Sequence, residues 1–573
     1  MDFTPFPTQQ VEPSGPSGGS LRRFAGAPRG WLTGIGLYLL AVIALLWVPI
    51  DNPPFHLSWE DYAGWKFFDA WVETPSLDLI FGYSDGLAAD SARGPLIGPF
   101  LWIGHLLGGV GYAPLRLAVA LECAFAVPLL WRVARKVLPN EAAILTAVLF
   151  ALSPVWVFYG RNVTSTGASA LVLLVTMLGL LGVLEARDWV AWRWPMVLLA
   201  GGIVLSLYAY TPARAMWPMA TVLLLAAAAI YRSRWRMLVL SAAIVAVIFP
   251  LAVVVMDLLF ANPPNAGRAL DRIMHGANEQ ILGMTPESVD TWLREGNKGT
   301  GFAGLLRQNA GDLVNLLFNR ETRPVRTDYW NAHGRLWSVP FAIAAIAGVG
   351  TLSWLAWTKR TISPLVVMAV AAGLLVGPVF TSLVHVGRLA AALPLLMIMV
   401  GAGAWGIGTA VATLVQRAGV PFSSAVFRWV PMGAMLVFAL ALFAAEGAVE
   451  LGPTRQALEV DMMSAEAPYS RRLGVAIALD PGLGSEIEHV RMGAYRLGLG
   501  DGYVFTEDVR APRDAGEDIP VRYLGTLVAL EAGMFDKPCN TMWFVQPEVE
   551  ERFLDAFAAA GCDDTSDVFI LPR

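Results

Sequence analysis

Residues 31–50 read WLTGIGLYLLAVIALLWVPI, and ten residues beyond them stand two adjacent carboxylates in Trp59-Glu60-Asp61-Tyr62. Twenty uncharged, mostly apolar residues are enough for a helix to cross the hydrocarbon of a bilayer. Arg22, Arg23 and Arg29 precede the run, and Asp51-Asn52-Pro53-Pro54 follows it without a small-residue cleavage site. The pattern predicts a retained signal anchor with its N-terminus in the cytoplasm. Residues 1–30, rich in Pro, Gly, Ser and Gln at the start, read as a disordered cytoplasmic tail. The acidic pair therefore emerges on the outer side of the membrane.

Working outward, further apolar runs predict spans near 115–131, 140–158, 166–185, 194–212, 215–231, 237–257, 336–357, 362–383, 389–411 and 429–447, about eleven in all. Their connections divide by charge. One set carries Arg132, Arg135 and Lys136; Arg187 and Arg193; Arg232, Arg234 and Arg236; Lys359 and Arg360; Arg417 and Arg428. The alternate set carries Arg161, Arg214 and Arg388, one apiece. The positive-inside rule puts the first set in the cytoplasm.

Pro95 to Tyr112 tests that assignment, being nearly long enough to cross but holding five glycines, two prolines and His105. Counting it as a span would invert every later loop. Residues 51–114 are therefore read as one large outer loop with helices lying along the membrane surface. A second, polar outer loop covers 258–335, with Arg268, Arg272, Arg320, Arg323, Arg326 and Arg335 read as surface charge.

Composition agrees with a polytopic membrane protein of mainly α class. Of 573 residues 56% are hydrophobic and 15% charged, and the mean hydropathy is +0.54. Twenty-one tryptophans suit rings at bilayer interfaces. A net charge of -5 gives no reason to expect nucleic acid, and neither the three cysteines nor the six histidines have metal-ligand spacing. Past residue 450 the composition becomes that of a soluble domain, 450–573. Short strands are expected at 501–505, 521–524, 541–546 and 568–571, with an amphipathic helix over 548–560. An odd number of spans makes this small α/β domain periplasmic. Cys539 and Cys562 flank its strand–helix unit; a disulfide and two thiols both fit, because spacing alone does not bring two Cα atoms into range. Cys123 and Glu122 fall inside a span, where packing and pairing with a neighbouring helix are expected.

These residues resemble the GT-C glycosyltransferases, in particular bacterial relatives of protein O-mannosyltransferases and of the enzymes that add aminoarabinose to lipid A. The resemblance runs from about residue 31 to 410 and rests on the order of its elements. They are the acidic pair after the first span, Arg93-Gly94-Pro95-Leu96, and Gly111-Tyr112-Ala113-Pro114-Leu115-Arg116-Leu117 like the family's G-x-x-x-x-R-L. Then come Leu152-Ser153-Pro154 with Tyr159-Gly160-Arg161, Tyr208-Ala209-Tyr210 leading to Arg214, and His385 to Arg388 before Pro394. The family's acidic motif runs Asp-Glu; here the order is reversed.

The resemblance implies a GT-C type bundle in residues 31–449, a polyprenyl-phosphate sugar as donor, and a lipid, glycan or protein hydroxyl as acceptor at the outer face. No cofactor and no metal are implied. An acceptor hydroxyl is a poor nucleophile near neutral pH, so a carboxylate is needed to take its proton, with Asp61 the first candidate and Glu60 the second. Charge builds on the departing phosphate, and Arg161, Arg214 and Arg388 are the cations available on that side. Tyr210, His385 and Tyr159 are candidate donor or acceptor contacts. Two other classes stay open. A lipid or glycan transporter or flippase would share the spans but should show inverted repeats or broken helices. A non-catalytic GT-C-like scaffold would share the fold alone.

Overall fold

The computed structural model describes residues 27–47, 94–109, 112–161, 165–209, 211–260, 339–380, 391–419, 424–451 and 550–562, with short pieces elsewhere. Almost all of this is helix. The helices are α1 (Ala27–Leu45), α2 (Gly94–Gly108), α3 (Tyr112–Ala124), α4 (Ala126–Ala134), α5 (Asn140–Ala151), α6 (Pro154–Arg161) and α7 (Ser165–Glu185). They continue with α8 (Trp189–Leu205), α9 (Thr211–Arg214), α10 (Met216–Ile230), α11 (Trp235–Phe260), α12 (Val339–Lys359), α13 (Ser363–Val376), α14 (Leu393–Arg417) and α15 (Ser424–Leu451). Among the described residues six helices are long and apolar enough to cross a membrane. The bent pair α5–α6 makes a seventh, and α1, α2, α10, α13 and α15 contain shorter apolar helices. Within the described residues the expected spans overlap these helices, those at 115–131 and 140–158 covering two helices each.

Helix α7 is the centre of the bundle. It is apolar all the way round, as a helix must be when no face meets water, and α3, α4, α6, α8, α10, α13 and α14 all pack against it. The α7–α8 contact is made by small residues: Gly182 lies against Pro195, Gly179 against Leu199, and Gly202 against Thr176. These pairs step in opposite directions, so the two helices are antiparallel. Glycine allows this because a methyl group at Gly179 would collide with the Leu199 backbone nitrogen.

At the C-terminal end of α7 the basic connections meet. Lys136 pairs with Glu185 at 2.5 Å, and the other Glu185 oxygen accepts from the Ser363 hydroxyl at 3.2 Å. Arg234 donates to the carbonyls of Leu184 and Ala186 at 2.9 and 2.8 Å, satisfying backbone groups that the end of α7 leaves open. Thus four of the basic connections, those around Lys136, Arg187, Arg234 and Arg360, are gathered at this end of α7.

Two expectations are refined. The predicted span at 140–158 is a pair of helices bent by 62°. Pro154 explains the break: it lacks an N–H, and its ring disfavours helical backbone at the preceding residue. Segment 94–108 is helical and packs along α3, where methyl groups on Gly104 and Gly108 would lie 2.5 and 2.8 Å from Pro114. Near the C-terminus, β1 (Val504–Phe505), β2 (Trp543–Val545) and β3 (Val568–Ile570) form a parallel sheet in that order, with α16 (Glu550–Ala559) between the last two. Three of the expected strands coincide with these; 521–524 lies outside the described residues. Cys562 is disulfide-bonded, while Cys539 is outside the described residues.

Candidate active site at the Ser165 end of α7

The end of α7 opposite the basic loops is built from chain breaks. After the Pro154 bend, α6 is a short buried helix carrying Tyr159, Gly160 and Arg161 to the start of α7. Tyr159 is 2% exposed and Arg161 3%. Gly160 has no room for a side chain: a methyl group there would meet the Trp156 ring at 2.6 Å and Leu45 at 2.8 Å. Leu45 ends α1, so the motif Tyr159-Gly160-Arg161 lies where the first helix runs out and the chain leaves for the acidic pair. Gly167 in the first turns of α7 is held as closely, its Cβ position lying 2.5 Å from the Tyr159 carbonyl oxygen and 2.8 Å from Cys123 Sγ.

A second break supplies Arg214. Helix α8 tightens into a 3-10 turn at Ser206–Tyr208, Ala209 is extended, and α9 is a single turn. The Arg214 guanidinium donates from Nη2 to the Leu207 carbonyl at 3.3 Å, holding the broken end of α8. Continuing the antiparallel stepping of α7 and α8 sets this turn and α9 beside the first residues of α7, and both pack against it. Arg161 and Arg214 are thereby brought to the same end of the same helix.

Arg116, in the motif Gly111 to Leu117, is a further buried cation with no role assigned above. It sits near the start of α3, 2% exposed, with Glu122 in the same helix fully buried. Since α4 delivers Lys136 to the Glu185 end of α7, the start of α3 points the other way, toward Arg161. An arginine inside a predicted span, six residues before the buried Glu122, is the signal that could have singled it out. Arg116, Glu122, Tyr159, Arg161 and Arg214 each make contacts within the protein. Phe67, Phe68 and Trp71, just after the acidic pair, are also buried, with the Trp71 ring against Gly98 of α2. Glu60, Asp61, Tyr210, His385 and Arg388 lie outside the described residues. Among the described residues no three His, Cys, Asp or Glu side chains come together as a metal site would require.

The architecture is that of a polytopic helical membrane protein with a cationic, aromatic end where several helices break. Residues 92–256, from just before α2 to near the end of α11, match the family described as dolichyl-phosphate-mannose-protein mannosyltransferase. The likeness covers less than a third of the chain and is confined to those residues. No curated protein sequence matches the chain. Among solved structures, ArnT from Cupriavidus metallidurans bound to undecaprenyl phosphate superposes with a TM-score of 0.46 at 15% identity, over 95% of this chain and 90% of its own. The Archaeoglobus fulgidus oligosaccharyltransferase in complex with Zn and sulfate gives a TM-score of 0.45 at 13% identity, over 72% of this chain and 53% of its own. The chain thus spans about half the length of the archaeal oligosaccharyltransferase that it matches.

Proposed function

We propose that the protein is a glycosyltransferase that moves a sugar from a polyprenyl-phosphate donor to an acceptor hydroxyl at the outer face of the membrane. The observation that supports this reading is that the elements carrying Arg161 and Arg214 both pack at the Ser165 end of α7, where the last residue of α1, Leu45, also lies against Gly160. Bonds break at the anomeric carbon and a phosphate monoester leaves. It gains negative charge as it goes, and guanidinium groups fixed in a water-poor setting stabilise that charge most where it develops. Arg161 is buried, and the Arg214 guanidinium bonds to the Leu207 carbonyl. Arg116 joins them as a third cation at that end, and Arg388 as a fourth from the last outer connection. The acceptor's proton passes to Asp61, or to Glu60, as its oxygen attacks. Tyr159, Tyr210 and His385 are the candidate contacts for sugar or acceptor. The lipid tail lies in the apolar surface between helices.

The test is transfer from a radiolabelled polyprenyl-phosphate sugar by the purified full-length protein. Asp61→Asn is expected to abolish transfer while leaving donor binding largely intact, because a base acts only in the transition state. Wild-type rates in Asp61→Asn, in Glu60→Gln and in the double variant would remove the pair from the mechanism. The Pro154 bend and the break after α8 are traits that a transporter would share. Donor movement between leaflets without any labelled acceptor would favour that reading instead.

A further inference from the structure

The opposite end of the molecule carries a second charged feature that the transfer reaction does not use. Where α8 and α11 begin, the chain reads Arg187-Asp188-Trp189-Val190-Ala191-Trp192-Arg193-Trp194 and Tyr231-Arg232-Ser233-Arg234-Trp235-Arg236. The two stretches are locked together. Arg234 donates to the Ala186 carbonyl next to Arg187, and Trp192 Nε1 donates to Ser241 Oγ on α11 at 2.8 Å. This lock brings Arg187, Arg193, Arg232 and Arg236 to neighbouring positions, all four exposed.

The nearby carboxylates are already engaged. Asp188 caps α8, accepting from the backbone nitrogens of Val190 and Ala191 at 3.0 and 2.8 Å, and Glu185 is paired with Lys136 and Ser363. The four guanidinium groups therefore form an excess of positive charge. Interleaved with them are exposed indoles: Trp194 is 77% exposed, with Trp189 and Trp235 about half so, and the Arg236 guanidinium lies 5.7 Å from the Trp235 ring centre. Beyond this belt the outward residues of the same two helices are wholly apolar: Val197 and Leu198 on α8, Val239, Leu240 and Val247 on α11. Charge, then aromatic rings, then a run of aliphatic side chains is the profile of a phospholipid read from headgroup to tail.

We propose that the α8–α11 face is a binding site for an anionic phospholipid of the cytoplasmic leaflet, with room in its charge for a headgroup bearing two phosphates. Arg187, Arg193, Arg232 and Arg236 hold the phosphates, the indoles sit at the level of the glycerol backbone, and the acyl chains lie along the aliphatic faces. Because the sequence between Ala186 and Arg193 also joins α7 to α8, a lipid seated there braces the end of the bundle remote from the chemistry.

The experiment is native mass spectrometry of the full-length protein in detergent, titrated separately with diphosphatidylglycerol, phosphatidylcholine and inorganic pyrophosphate. One diphosphatidylglycerol is expected to bind at least about tenfold more tightly than phosphatidylcholine, with pyrophosphate competing only weakly. The variant R187Q/R193Q/R232Q/R236Q should lose that preference, whereas K359Q/R360Q, which removes two charges from another connection, should keep it. Should the quadruple variant not fold, R187Q/R193Q and R232Q/R236Q are measured singly, and each should reduce the preference. An unchanged preference in these arginine variants overturns the proposal. Equal binding of phosphatidylcholine also overturns it, and so does pyrophosphate competing as strongly as the lipid, which would leave an anion site with no use for the tails.

Discussion

Gly167 decides how closely three elements meet, and its absent side chain is the reason. Its Cβ position lies 2.5 Å from a backbone oxygen of α6, an atom that cannot rotate away, and 2.8 Å from Cys123. Gly167→Ala therefore forces α6 and α7 apart. Overpacking of this kind costs about 1–3 kcal/mol, to be read as a lowered melting temperature in detergent together with reduced transfer. Unchanged melting would mean that the helices part freely. Arg161 gives a second prediction at this scale. Arg161→Ala should weaken donor binding about 10- to 100-fold, the range expected when a charged hydrogen-bond donor is lost. Arg161→Lys should recover part of this, since it keeps the charge but lacks the planar fork. Thermal stability measured beside donor binding separates a lost contact from a lost fold; equal donor affinity in all three proteins would exclude Arg161 from the phosphate site.

At the scale of elements, helix packing is set by where glycine lets backbones touch. Helices α12 and α14 form one such pair: a methyl at Gly348 would collide with the Met399 carbonyl oxygen, and one at Gly403 with the Ala344 carbonyl oxygen. Without a strong hydrophobic drive between helices in lipid, such close approach supplies much of their association. Gly403→Ala is expected to destabilise the bundle by about 1–3 kcal/mol and to do so without touching the candidate site. Chemical denaturation in mixed micelles measures this, and a wild-type midpoint would refute it. Breaks matter as much as contacts. Pro154 and the 3-10 turn at Ser206–Tyr208 both interrupt spans on the Ser165 side of α7, and each interruption presents an arginine.

At the scale of the whole molecule the charge distribution fixes a direction. Four connections rich in Arg and Lys are tied together around Glu185 and the end of α7, while Arg161 and Arg214 stand at the other end. The orientation proposed on this basis puts the chain after residue 450 outside the cytoplasm. A reporter active only in the periplasm, fused after Arg573, is expected to be active. A silent periplasmic fusion with an active cytoplasmic one would reverse the topology and strand Glu60 and Asp61 on the wrong side.

The sequence by itself determined the helical class and marked where most of the apolar helices lie, because long apolar runs and their flanking charges are local signals that need no tertiary context. It also marked Arg161 and Arg214 as odd, being single cations in otherwise uncharged connections. What it did not carry was proximity. That Arg116 points toward the same end as Arg161, and that Gly160 rests on the last turn of α1, follow from which helix packs on which. The strict pattern of apolar residues is blind to this, since every face of α7 looks alike in sequence. The bend at Pro154 shows the same division: proline guarantees a weakness in the helix, but only the packing of α6 against α1, α3 and α7 decides that the chain turns there by 62° and buries Arg161.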